Sequence, residues 1–198
     1  NNNFIFFNDK TTANFVSKYF NYKSEGKEFF YKNNTFQIES IKFKIYFSDF
    51  RYGELDNVEF NDIIINNIEN VKNRIMLMYS TFTNNNIAEM IKEKVIDKNI
   101  EFYGILEYMN TFSKYSSYKI FSDNLMNIYR DTNEKIFHHK VLITDYLLIT
   151  GSYAISNRSN IDKNLLNYND EMLILFENID IANYFYDYGI NLINNLCN

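Results

Sequence analysis

The chain holds only two histidines, and they are adjacent, in His138-His139-Lys140. The segment runs on through Val141, Leu142, Ile143 and Thr144 to Asp145, with Gly151-Ser152 shortly after. In extended backbone, alternate side chains point to opposite faces, so His138 and Lys140 share one face and His139 takes the other. An imidazole beside a fixed ammonium suits attack on a phosphate monoanion: the ammonium neutralises the non-bridging oxygens while a ring nitrogen supplies the lone pair. His138 is thus the candidate nucleophile, with Lys140 as its electrostatic partner. His139 is expected to pack or hydrogen-bond on the far side. Histidines on opposite faces cannot ligate one ion without distorting the strand, and the single cysteine, Cys197, stands close to the end of the sequence. No metal and no other cofactor is expected. Asp145 lies where the apolar runs Ile136 to Thr144 and Leu147 to Thr150 meet, and reads as a hairpin-turn residue with structural hydrogen bonds rather than as a chemical group.

The surrounding elements must present these residues. Lys44 to Ser48 reads as a short strand, and apolar residues Val58, Ile64, Ile65, Ile68 and Val71 recur near helical spacing between Asn57 and Asn73. Arg74 to Ser80 is a compact apolar run suited to a buried strand. Thr83 or Asn84 can cap a following helix that carries Ile87, Met90, Ile91 and Val95, and Ile100 to Leu106 is strand-like again. This strand, capped helix and strand predict a crossover unit with a parallel pair. A helix is expected around Asn110 to Tyr115 and a short strand around Tyr118 to Phe121. Glu171 to Phe176 reads as a buried strand and Ile179 to Leu196 as a closing helix. The expected fold class is α/β: a mixed, mostly parallel sheet flanked by helices.

Composition bounds the remaining possibilities. At 198 residues, 46% hydrophobic and 23% charged, the chain has the make-up of a soluble globular domain. It has no apolar run long enough for a spanning helix, and no signal peptide is visible. A cytoplasmic location is the expectation. A net charge of −5 gives no support for a strong sequence-independent grip on nucleic acid. Asn2 to Phe7 followed by Ala13 to Tyr19 is similar to Asp170 to Leu175 followed by Ala182 to Tyr188, a strand then a helix at both ends. Residues 1–40 are accordingly expected to be the tail of a preceding repeat or a linker, and 41–198 the domain itself.

His138-x-Lys140, four residues, Asp145, then Gly151-Ser152 resembles the signature of the phospholipase D superfamily. Lys44 to Ser48, Ile75 to Thr83 and Ile87-Ala88-Glu89 resemble the opening strands and first helix of its domains, and the likeness extends over about Lys42 to Asn195. It implies an α/β/α sandwich and a metal-independent phosphodiesterase. His138 would attack phosphorus and form a phosphohistidine. Lys140 and the Ser152 hydroxyl would hold the phosphoryl oxygens, with Asp145 and Gly151 in supporting roles. Glu171 would hold His138 in its productive tautomer. A second histidine, from another copy of the motif, would protonate the leaving oxygen and then activate water. That copy is expected upstream, the alternative being a homodimer.

Two departures from the superfamily pattern bear on activity. Gly151-Ser152-Tyr153-Ala154 has alanine where an asparagine is usual, with Ser156 or Asn157 as possible substitutes. The spacing from Asp145 to Gly151 is one residue short: either the turn is trimmed or the register slips and turns Ser152 away. Three functions follow. Hydrolysis of a phospholipid headgroup is favoured. A nuclease of the same mechanism is hinted at by Arg130, Lys135, Arg158 and Lys163. The third is a non-catalytic phosphate-binding or scaffold half.

Overall fold

The computed structural model describes residues 6, 8–27, 34–47, 60–133, 136–156 and 171–196. The first helix, α1 (Lys10–Ser24), is capped by Asp9, whose carboxylate accepts the Thr12 N–H. The strands and helices that follow are β1 (Thr35–Ile38), β2 (Ile41–Phe47), α2 (Phe60–Glu69), β3 (Arg74–Tyr79), α3 (Asn85–Lys98) and β4 (Glu101–Glu107). After a 3-10 turn, Met109–Phe112, come α4 (Tyr118–Ser122), β5 (Ile128–Asp131), β6 (Lys140–Thr144), β7 (Leu147–Gly151), β8 (Met172–Glu177) and α5 (Ile179–Leu196).

The eight strands form one sheet in the order β1-β2-β8-β7-β6-β3-β4-β5. Apolar residues line both of its faces, as a sheet covered by helices on two sides requires. Ile75, Leu77 and Tyr79 of β3 face the layer of α2, α3 and α4, where Ile64, Ile87, Ile91 and Phe121 are fully buried. Met76 and Met78 face the other layer, with Tyr19 of α1 and Ala182, Tyr186 and Leu192 of α5. Burying each such large side chain contributes roughly 1.5–3 kcal/mol, so the two layers fix the sheet against slippage. Gly189 of α5 lets the helix settle on the sheet, since a Cβ there would come within 2.9 Å of the Met76 side chain.

The sheet is mixed, as expected, but it is not mostly parallel. Among the described strands, the parallel pairs are β3-β4 and β4-β5, with one isolated parallel bridge between Phe82 and Ile155. The pairs β1-β2, β2-β8, β3-β6, β6-β7 and β7-β8 are antiparallel. Only the helical crossovers after β3 and β4 return the chain in the same direction; hairpins and reversed returns build the rest.

Other expectations shift in detail. Asn84 rather than Thr83 caps α3, accepting the N–H groups of Asn86 and Ile87. Tyr118–Ser122 is helical, not a strand, and its Phe121 packs into the core. The helix expected around Asn110 is a single 3-10 turn. The second strand starts at Ile41, and β1 and β5 were not foreseen. The stretch expected to be a tail or linker contributes both α1 and β1 to this body: Tyr19 stacks on Phe47 at 3.8 Å and Phe15 meets Phe36 at 5.0 Å. Residues 1–5, 7, 48 and 57–58, on which parts of those readings rest, lie outside the described residues.

Candidate active site

The antiparallel hairpin β6-β7 is the scaffold of the site. Its register pairs Val141 with Thr150 and Thr144 with Leu147, so only Asp145 and Tyr146 make the turn. Asp145 adopts φ +26°, a backbone region that Asp tolerates better than most residues. The short spacing between Asp145 and Gly151 is thus absorbed in a two-residue turn, and the strands stay in register. Thr150 Oγ1 donates to the Lys140 carbonyl at 2.9 Å, tying the far end of the hairpin.

That far end carries the chemical groups. His138 precedes β6 and is exposed, while Lys140 opens the strand half-buried. The Lys140 Nζ lies 3.3 Å from the His138 Nε2. The Lys140 charge, and secondarily partial burial, hold the His138 imidazole below its ordinary pKa. Near neutral pH the ring is therefore unprotonated, the form with a lone pair to offer. Burial also lowers the Lys140 pKa, and the nearby Glu171 charge opposes that shift.

Ser152 follows the end of β7, where its hydroxyl donates to Glu171 Oε2 and accepts the Met172 N–H at 2.9 Å. Its own N–H donates to the Met172 carbonyl at 3.0 Å. Gly151 makes this approach possible: at φ +151° a Cβ would stand 2.0 Å from the Met172 carbonyl oxygen. His138, Lys140, Ser152 and Glu171 are thus gathered at one end of β6, β7 and β8. The Ser152 proton is committed to the Glu171 carboxylate, whose charge also reaches Lys140. The expected substitute Ser156 is half-buried, while Asn157, Arg158, Lys163 and Lys135 lie outside the described residues.

His139 is built into the opposite layer. It is 2% exposed, packed edge-on against Phe137 at 4.6 Å and near Tyr188 of α5, whose hydroxyl is 3.4 Å from its Nε2. Burial pushes its pKa down to about 4. Asp145 sits at the turn. Its carboxylate accepts the N–H groups of Lys72 and Asn73 at 2.9 Å and of Arg74 at 3.1 Å. Burial raises its pKa, but these amides outweigh burial and hold the carboxyl below its usual range. With β6 five residues long, the turn stands about 17 Å along the strand from its start.

Two residues at the site end were not foreseen. Tyr188 lies within the expected closing helix, and no local pattern announces a hydroxyl that reaches a histidine 49 residues away. Asn110 donates from Nδ2 to the Ser80 carbonyl at 2.8 Å, while the Ser80 N–H donates to the His139 carbonyl at 2.9 Å. In so asparagine-rich a chain, nothing marks that one.

Strand order and layers are those of a phospholipase D-like α/β fold. Solved structures share it. Nuc from Salmonella typhimurium, described as a phospholipase D family member, aligns with a TM-score of 0.62 at 17% identity, over 78% of this chain and 95% of its own. NucT from Helicobacter pylori aligns at 0.61 and 18%, over 80% and 98%. The phosphatidylserine synthase of Haemophilus influenzae aligns at 0.56 and 15%, over 81% of this chain and 37% of its own. Neither a family model nor a curated protein matches the sequence. Among the described residues, no helix is long and apolar enough to cross a membrane.

Proposed function

We propose that the chain is a metal-independent phosphodiesterase that cleaves a phospholipid headgroup through a phosphohistidine on His138. The observation that supports it is the exposed imidazole whose Nε2 is 3.3 Å from the Lys140 ammonium. Attack by Nε2 forms the P–N bond as the P–O bond to the leaving group breaks. A histidine from a second copy of the motif, in another chain or elsewhere in a longer polypeptide, gives the leaving oxygen its proton. The same histidine then takes a proton from water, which attacks phosphorus and breaks the P–N bond. Lys140 moves from the imidazole to the phosphoryl oxygens as substrate arrives. Glu171 orients His138, with Ser152 holding that carboxylate and turning to the phosphate in the complex.

Trapping tests this directly. A labelled phosphodiester, quenched during turnover, should leave an acid-labile, alkali-stable phosphate that maps to His138. His138→Ala should lower turnover roughly 10³-fold or more with its melting temperature kept, whereas His139→Ala should mainly lose stability. A phosphate mapped elsewhere, equal activity of the two variants, or turnover that depends on an added divalent ion would sink the reading. The same mechanism on DNA or RNA is distinguished by assay with a single-stranded oligonucleotide under chelator. A non-catalytic phosphate-binding half is the second reading, favoured by Ala154 where the superfamily pattern has an amide. Folded, paired protein inactive on both substrates would establish it.

A further inference from the structure

The segment after β4 is an unusual piece of surface. Among the described residues, Tyr108 is 42% exposed, Met109 70%, Phe112 59% and Tyr115 64%. Single exposed apolar side chains are ordinary, but four large ones in a short stretch form a patch that calls for a partner. The patch is fixed at the catalytic end of the sheet, because Asn110 bonds the Ser80 carbonyl and the Ser80 N–H bonds the carbonyl of His139, the neighbour of His138. Ile136, two residues before His138, is 70% exposed at the same end.

Charge sets this segment apart as well. Tyr108 to Ser122 carries Lys114 and Lys119, both exposed, and no carboxylate within it, in a chain of net charge −5; of the flanking acids, Glu107 has its carboxylate turned to the Asn110 N–H, and Asp123 follows Ser122. Arg130 adds a third cation: its guanidinium lies over the Phe112 ring at 4.9 Å and the Tyr118 ring at 4.4 Å, with its Nε bonded to Thr111 Oγ1 at 3.0 Å. Lys114 lies over the Tyr115 ring at 4.9 Å.

We infer that Tyr108 to Lys119 is an interfacial anchor that inserts Met109, Phe112 and Tyr115 among the lipids of a membrane surface, so that the His138–Lys140 pair meets headgroups there. Met109, the most exposed of the set, has no ring to stack on a base. Phe112 and Tyr115 each have a ring face already engaged by a cation, which favours insertion by their edges over stacking of nucleobases. The lysines and Arg130 match the phosphate plane of a bilayer, and aromatic rings settle at that depth. The inference deepens the phospholipid reading and rests on it.

Vesicle binding tests the anchor without requiring turnover. The whole chain should sediment with vesicles of equimolar phosphatidylcholine and phosphatidylglycerol, and the His138→Ala variant should sediment equally, so loss of catalysis leaves the measurement intact. Replacing Met109, Phe112 and Tyr115 together by Ser should weaken binding about tenfold or more while the melting temperature holds. The chain has no tryptophan, so Tyr115→Trp provides a lone reporter should the triple variant fail to fold. Its emission should shift to the blue on vesicle addition and be quenched by brominated lipid. A wild type that ignores vesicles, a folded triple variant that binds them undiminished, or a reporter that does not shift overturns the anchor. So does loss of single-stranded oligonucleotide binding in the triple variant with vesicle binding intact.

Discussion

The two ends of β6 are made from one short sequence and do different work. At its start, His138 is exposed, Lys140 is 3.3 Å from it, and a serine and a carboxylate stand just beyond the ends of neighbouring strands. At its finish, Asp145 turns inward on the backbone of Lys72, Asn73 and Arg74 and spends its carboxylate on their amides. The first end holds polar groups where a ligand can reach them. The second satisfies polar groups that the fold itself would otherwise leave wanting. A motif contiguous in sequence thus joins a chemical half to an architectural half, and the strand between them keeps the two apart.

Replacing a residue at each end should separate these jobs. The larger effect of the two belongs to Lys140→Met, expected on the proposed mechanism to lower kcat/KM about 100-fold, less than His138→Ala, by removing the cation proposed to face the phosphoryl oxygens. It should also change the pH profile. The Lys140 charge is the main influence holding the His138 pKa down, and in the proposed attack the ring must be neutral. Removing that charge raises the His138 pKa, so the acidic limb of kcat/KM should move to higher pH. A limb that stays in place would mean the two groups are not coupled in the working enzyme.

Asp145→Asn should do the reverse. The amide keeps a side chain that tolerates positive φ, but one of its two ends must now present N–H toward a backbone N–H. That costs about 1–3 kcal/mol of stability. Activity per folded molecule should be nearly unchanged. A loss of turnover at constant melting temperature would instead give the turn a part in the chemistry.

How much of this was legible beforehand follows the same division. Alternation alone separates His138 from His139, because period-two geometry needs no knowledge of neighbours. The parallel β3-α3-β4 unit was readable from a capped helix between two apolar runs. The sheet's antiparallel majority was not, since it depends on which strands meet after long gaps: β2 pairs with β8 across most of the chain. Tyr118–Ser122 looked like a strand because Tyr, Ile and Phe favour strands, yet it is a single helical turn that drops Phe121 onto Phe102 at 5.3 Å. The short spacing before Gly151 left two outcomes open in the sequence. The observed register decides between them: Val141 pairs with Thr150 and Thr144 with Leu147, Gly151 stands opposite Leu173, and Ser152 meets Glu171.

The last effect, a change in a pH slope at unchanged activity near neutral pH, concerns His139, the residue that shares the motif but not the site. Its folded pKa is pushed down to about 4 by burial, against about 6.5 for an unfolded histidine. Between those values the unfolded chain binds a proton that the folded chain refuses. Stability from this group is therefore complete above about pH 6.5 and drains away as pH falls toward 4, at about 1.4 kcal/mol per pH unit. Asp145 and Glu177, whose carboxyls are held low in the fold, draw on stability only at more acidic pH. His138 acts in the same direction as His139, but its exposure to water makes its share smaller. Chemical denaturation at a series of pH values should show the slope in the wild type and a flatter one in His139→Gln, which can still bond Tyr188 but does not titrate. Equal slopes would show that this imidazole is wetter than its packing between Phe137 and Tyr188 allows, and would weaken the division of labour between the two faces of the strand.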